Sequence, residues 1–163
     1  MKIALAADHA GIEQLKDLQQ YLFAMGHECQ NFGPSSFNKN DDYPDFIAPA
    51  AKAVADGVCD KAIILGGSGQ GEAMMANRFK GVRCAVFYSL AVQRGAIDAV
   101  GNISHDPYEI IRLSRQHNDS NVLSLAARFL SLNEMKQAVK IWLETDFSGD
   151  ERHKRRLAKL DKD

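Results

Sequence analysis

Short apolar runs alternate with segments of helical period along this 163-residue chain, and that alternation limits the fold more than any other feature. Ile3 to Ala7 is apolar and stops at Asp8-His9-Ala10-Gly11. Ile12, Leu15, Leu18, Leu22 and Met25 then recur at three- and four-residue spacing, closed by Gly26. The order reads as strand, loop, helix. Further strands are predicted over Glu28 to Phe32, Lys61 to Leu65, Val82 to Phe87 and Asn121 to Leu125. Helices are predicted through Phe46, Ile47 and the alanines to Gly57, and over Glu134 to Leu143, where Met135, Ala138, Val139 and Trp142 share one face. Such a series implies βαβ units with right-handed crossovers, hence an α/β fold with a parallel sheet covered on both faces. Ligands of such sheets bind beyond the strand C-termini, where Asp8-His9 and the loop after the third strand both fall.

That loop is Gly66-Gly67-Ser68-Gly69-Gln70-Gly71-Glu72, running into a helical stretch that ends near Asn77. Its glycines let the backbone take positive φ and approach a ligand closely, so several N–H groups can converge on an oxyanion. The G-x-x-x-x-G frame from Gly66 to Gly71 is met, but Glu72-Ala73 replaces the Lys-Ser/Thr pair that a phosphate-binding P-loop needs. The dinucleotide fingerprint G-x-G-x-x-G is absent as well. Glu72 stands where a base that makes an enolate belongs, and the positive end of the helix is expected to lower its pKa. A tight turn with a helix-favouring glutamate is the plain alternative.

Asp8-His9 reads either as a cap with a surface histidine or as part of a site. His117-Asn118-Asp119, just ahead of the fifth strand, reads either as a helix end or as a functional group. His27 and His105 are expected on the surface. Arg152, His153, Lys154, Arg155 and Arg156 open a basic stretch that continues to Lys162. On a helix, Arg152 and Arg156 share one face about 6 Å apart along the axis. Two such forks can grip a phosphate, although a solvated basic tail has the same composition.

The bulk properties fit one compact domain over residues 1–163. The chain is 45% hydrophobic and 25% charged with a formal net charge of −1, which argues against a broad nucleic-acid surface. Cys29, Cys59 and Cys84 are too widely spaced for a disulfide framework or a zinc knuckle and read as reduced, buried thiols. Asp8 interrupts the first apolar run, and no later run is long enough to span a bilayer, so a cytoplasmic protein without membrane contact is expected.

Taken together, Ala7-Asp8-His9-Ala10-Gly11, Asp42-Tyr43-Pro44, Gly66 to Glu72, Ala76-Asn77, Ser114-Arg115-Gln116-His117-Asn118, Ala127-Arg128 and Arg152 to Arg156 resemble the ribose-5-phosphate isomerase B family, which includes galactose-6-phosphate and allose-6-phosphate isomerases. The resemblance covers nearly the whole chain in order. It implies a Rossmann-like three-layer α/β/α sandwich, a five-stranded parallel sheet in the order 2-1-3-5-4, and a homodimer with active sites completed across the interface, with a tetramer as the alternative assembly. It implies a cofactor-independent, metal-free isomerase of a small sugar phosphate, with ribose 5-phosphate and ribulose 5-phosphate as the first pair. Isomerases of other sugar phosphates, and a non-catalytic sugar-phosphate-binding subunit, are the alternatives.

Position by position, the resemblance makes Asp8 and His9 sugar or phosphate contacts. Tyr43, with its DYP motif, joins the substrate-binding set, and the backbone of Gly67, Ser68, Gly69, Gln70 and Gly71 takes the enediolate oxyanion. Many relatives carry a cysteine base at the position of Gly66. This chain is instead similar to the subgroup in which the carboxylate after the loop, here Glu72, moves the proton. His117 matches the ring-opening acid, Asn118 a substrate contact, and Arg128, Arg152 and Arg156 the cations around the phosphate. The chain departs from the family in a longer segment around residues 89–112, which leads into His117; it reads as a surface excursion or as a remodelling of the sugar pocket or dimer contact.

Overall fold

The computed structural model describes residues 1–161; Lys162, the end of the basic run, lies outside them. Eleven elements follow one another: β1 (Lys2–Ala7), α1 (Ile12–Ala24), β2 (Glu28–Asn31), α2 (Tyr43–Ala55), β3 (Lys61–Gly66), α3 (Gln70–Ala76), β4 (Cys84–Phe87), α4 (Glu109–Gln116), β5 (Val122–Ala126), α5 (Leu132–Glu144) and α6 (Glu151–Leu157). The five strands form one sheet in the order β2-β1-β3-β5-β4, and every neighbouring pair is parallel. The fold class is the one expected from the alternation, and the strand order is the one the family resemblance implies.

Alternation along the strands divides the core into two unequal layers. Ile3, Leu5, Ala7, Ile63, Leu65, Leu123 and Leu125 point to one face, where Leu15, Leu18 and Leu22 of α1, Ile111 of α4 and Met135, Ala138, Val139 and Trp142 of α5 cover them. Ala4, Ala6, Ala62, Ile64 and Val122 point to the other, against Ile47, Ala50, Ala51, Ala53 and Val54 of α2 and Ala76 of α3. The first layer is filled by branched and aromatic side chains. The second is built largely of alanine, so α2 lies close to the sheet. Trp142 is fully buried and its indole N–H donates to Ser120 Oγ at 2.8 Å, satisfying its one polar atom.

Most element boundaries match the sequence reading to within a residue or two. β4 begins at Cys84 rather than Val82, because the Arg83 N–H donates to Asn121 Oδ1 at 2.8 Å instead of entering the ladder. Of the three free cysteines Cys59 is buried, while Cys29 and Cys84 are only partly so. His27 is half-buried rather than exposed, and burial lowers its pKa. Between Phe87 and Glu109 the chain forms no helix or strand. Side-chain caps hold it instead: Asp98 Oδ1 accepts from the N–H groups of Val100 and Asn102, and Asp106 Oδ1 accepts from that of Tyr108. Among the described residues no helix is long and apolar enough to cross a membrane.

Gly11 fixes how closely the β1–α1 loop approaches the sheet. A Cβ there would lie 2.7 Å from Leu65 Cβ and 3.2 Å from Ala7 Cβ. Gly11→Ala is therefore expected to destabilise the fold by about 1–3 kcal/mol through overpacking. Urea denaturation of the variant checks this; an unchanged midpoint would show that α1 withdraws at no cost.

Candidate active site

Two groups of polar residues form at different ends of the sheet. The first lies at the C-terminal edge of β1 and β3, as the topology requires. Asp8, at the end of β1, is buried, and its Oδ1 accepts the Ala10 N–H at 2.9 Å. His9 Nδ1 lies 2.5 Å from Asp41 Oδ1, and the same oxygen accepts the His9 backbone N–H at 3.2 Å. Asp41 thus sets the orientation of the imidazole and leaves Nε2 free. Asp8, His9 and Asp41 bring possible metal-ligating atoms within 4.8 Å of one another, but the hydrogen bond between His9 and Asp41 already accounts for their approach.

The glycine loop follows β3. Gly69 has φ +73° at the start of α3, and its carbonyl accepts the buried Ser124 Oγ–H at 2.7 Å. The backbone N–H groups of Gly67, Ser68 and Gly69 donate to nothing among the described residues. They remain free for an anion. Tyr43, the first residue of α2, packs its ring on Gly71, where a Cβ would come within 2.9 Å of Cζ. The Arg128 side chain lies over Gly67, 3.5 Å from where a Cβ would stand. Ser68 and Gln70 are exposed on the outer side of the loop.

Glu72 turns back from the first turn of α3 into this loop and is only 4% exposed. Its carboxyl group occupies the space beside Gly66: a Cβ on residue 66 would overlap the carboxyl carbon and both oxygens. A side chain at 66 and an inward-turned Glu72 exclude each other. Burial pushes the Glu72 pKa up, and the charge of Asp8 adds to this, opposed by a hydrogen bond from its own backbone N–H. The sequence-based expectation of a lowered pKa is thereby corrected. Desolvation outweighs the helix end, which in a seven-residue helix is a weak source of field.

The second group surrounds His117, the C-cap of α4, with Asn118, His153 and Arg156 lining a cavity of about 340 Å³. Arg152 is half-buried beside it, and its Nε has no hydrogen-bond partner among the described residues. The loop at 91–97 borders a neighbouring cavity that shares Ile110 and Leu113 with this one, so the irregular segment after β4 lies against the His117 group. Burial lowers the His117 pKa, with His153 and Arg152 acting in the same direction and Asp98 and Asp150 against it.

Within one chain the two groups do not meet. His117 precedes the N-terminal end of β5, whereas Gly66 pairs with Ala126 at its C-terminal end, about 13 Å of strand away. They also belong to opposite faces: α3 packs with α2, and α4 with α5. Asp8, His9, Tyr43, Gly67 to Gly71, Glu72 and Arg128 therefore gather in one group, and His117, Asn118, Arg152 and Arg156 in another. The sequence reading gave no role to Asp41 or His153, whose partners lie 32 and 36 residues away. The Asp41-Asp42 pair ahead of Tyr43 was the only local signal for the first.

The family described as ribose/galactose isomerase matches residues 3–160. The ribose-5-phosphate isomerase B of Mycobacterium tuberculosis is 35% identical over 158 residues, covering 96% of this chain and 86% of that protein. That of Escherichia coli is 33% identical over 156 residues, covering 96% and 91%. Among solved structures, the Clostridium thermocellum ribose-5-phosphate isomerase B superposes with a TM-score of 0.83 at 33% identity, covering 99% of this chain and 95% of that one. The Mycoplasma genitalium ribose-5-phosphate isomerase B, solved with bound ribulose-5-phosphate, gives 0.83 at 32% identity, covering 98% and 93%.

The raised pKa of Glu72 has a thermodynamic sign. Between its unfolded and folded pKa values the unfolded carboxyl ionises while the folded one resists, so its contribution to stability is present below the unfolded pKa and lost as pH rises through the folded one. Glu72→Gln, which does not titrate there, is expected to gain stability relative to the native chain across that window. Denaturant titrations from pH 4 to pH 8 check it, and parallel curves for the two proteins would contradict it.

Proposed function

This chain belongs to the ribose/galactose isomerase family, and we propose that it interconverts ribose 5-phosphate and ribulose 5-phosphate without a cofactor. The observation that carries this reading is the buried carboxyl of Glu72, held in the gap at Gly66 beside three unpaired loop N–H groups. Relatives that cover almost the whole chain and are named for this activity support it.

The chemistry assigns each group a task. Ribose 5-phosphate is mostly a closed furanose, so the ring opens first: His117 gives a proton to the ring oxygen as the C1–O4 bond breaks, the C1 hydroxyl releases one to solvent as the aldehyde forms, and exchange with solvent restores the proton on His117. Glu72 then takes the proton from C2, and the electron pair moves to form the C1–C2 double bond of an enediolate. The N–H groups of Gly67 to Gly71 stabilise its oxygen. Glu72 returns the proton to C1, and a hydroxyl proton moves from O2 to O1, giving the ketose. A pKa raised by burial brings Glu72 closer to the pH of the reaction, which strengthens it as a base. Asp8, His9, Tyr43 and Asn118 hold the sugar hydroxyls, and Arg128, Arg152 and Arg156 hold the phosphate.

The separation of the two groups at opposite ends of β5 supports a homodimer as the working form, with His117, Asn118, Arg152 and Arg156 of one chain completing a half-site formed by the Glu72 group of the other; its proposed place of action is the cytoplasm. Residues 1–163 act as one isomerase domain, and the segment at 89–112 is an addition that borders the His117 half-site.

Incubation with ribose 5-phosphate in deuterated water tests the reading, since ketose formation and deuterium at carbon report substrate and proton transfer together. Glu72→Gln is expected to lower turnover about 10³-fold or more while substrate still binds; near-normal turnover would reject Glu72 as the base. Gly66→Ala is expected to drive the carboxyl out of its gap. Since only the flexible end of Glu72 must move, stability should change by about 1 kcal/mol at most, while turnover falls about 10²-fold. Equal losses in stability and turnover would argue against this coupling.

A further inference from the structure

His153 has no part in the chemistry above, yet it is among the most thoroughly buried polar residues of the chain, at 2% exposure. Its ring lies against that of His117, with centroids 4.3 Å apart and planes inclined by 42°. Its Nδ1 is 3.0 Å from Ser148 Oγ, and its backbone N–H donates to the Asp150 carbonyl at 2.9 Å. Ser148 is itself tied down: its N–H donates to the carbonyl of Gln116, the residue before His117, at 3.1 Å, and its Oγ accepts the Asp150 N–H at 3.3 Å. The connection from α5 to α6 is thus fastened to the end of α4 through the Ser148 N–H, while the Ser148 hydroxyl holds the His153 ring that lies against His117.

We propose that His153, held by Ser148, is a positioning residue for His117, which fixes the plane of its imidazole. This rests on His117 being the ring-opening acid. Burial is the main cause that disfavours the protonated form of the His117 ring, and Arg152 acts in the same direction. His117 is therefore a stronger acid than an isolated imidazole when it does carry its proton, which suits delivery to a weakly basic ring oxygen. The titratable and charged groups facing His117 are His153, Arg152 and Asp150 from α6 and its cap, and Asp98 from the segment before α4. Arg156 lines the same cavity. A buried histidine needed only for packing would have no reason to lie ring to ring with another and to take its remaining hydrogen bond from the connector that also clamps that residue's backbone.

His153→Gln and Ser148→Ala test this in the full-length protein. Ser148 is exposed, so its variant separates the effect from any failure of the His153 variant to fold. Ring opening is needed from ribose 5-phosphate but not for proton exchange at C1 of ribulose 5-phosphate, which is acyclic. In both variants the ratio of deuterium uptake into ribulose 5-phosphate to its conversion into ribose 5-phosphate is expected to rise, about tenfold in His153→Gln and less in Ser148→Ala. The His117 imidazole titration followed by NMR should shift upward in His153→Gln, with the matching limb of the pH–rate profile. An unchanged ratio with an unchanged titration would overturn the proposal and leave His153 a packing residue. Normal turnover of ribose 5-phosphate by His117→Asn would overturn the ring-opening assignment itself, and this proposal with it.

Discussion

The carboxyl of Glu72 fills the place where a side chain on residue 66 would stand, and the arrangement of the C-terminal sheet edge depends on that exclusion. With Gly66 bare, the glutamate can fold inward from α3. With the glutamate inward, the loop must pass around it, which Gly69 permits by taking φ +73° and anchoring its carbonyl on Ser124. Tyr43 closes on Gly71 from one side and Arg128 on Gly67 from another, so the loop is gripped by α2 and by the turn after β5. Burial of an acid that sits near Asp8 is unfavourable for its charged form. The core on either side of the sheet must offset that cost.

Much of this was legible in the sequence, for identifiable reasons. The apolar runs and the helical periods between them are properties of neighbouring residues, and together with the turn signals that bracket the polar β2 they located every strand to within a residue or two. The parallel topology then placed Asp8-His9 and the glycine loop on one edge without any side-chain detail. What escaped notice depends on depth and on distant partners. Position 72 next to a helix start suggests a depressed pKa, and only the burial of that side chain reverses the sign. His9 and Asp41 lie 32 residues apart and meet because the long loop before α2 folds back over β1. His117 and His153 meet through the return of α6 onto α4, which no local pattern announces.

The basic stretch near the C-terminus shows how one sequence feature divides in space. Lys154, Arg155 and Arg156 are exposed, as a solvated tail would be, whereas Arg152 is half-buried and His153 wholly so. A helix presents both faces at once, so the same seven residues of α6 carry a solubilising surface and a wall of the His117 cavity. The irregular stretch before α4 divides likewise. Its hydrogen bonds are mostly local caps on Asp98 and Asp106, while Ile97 and its neighbours border the same helix that ends in His117.

The unequal thickness of the two core layers bears on how such a sequence can drift. Where Leu15, Leu18, Leu22 and Met135 meet the strands, one long apolar side chain can exchange for another with local repacking. The alanines of α2 that rest on Ala4, Ala6 and Ala62 have no such freedom, because any added carbon lifts the whole helix from the sheet. That helix carries Tyr43 at its first position, in contact with Gly71. A neutral-looking enlargement on the alanine side would thus be felt at the glycine loop, and lineages of this fold have room to vary on one face of the sheet that they lack on the other.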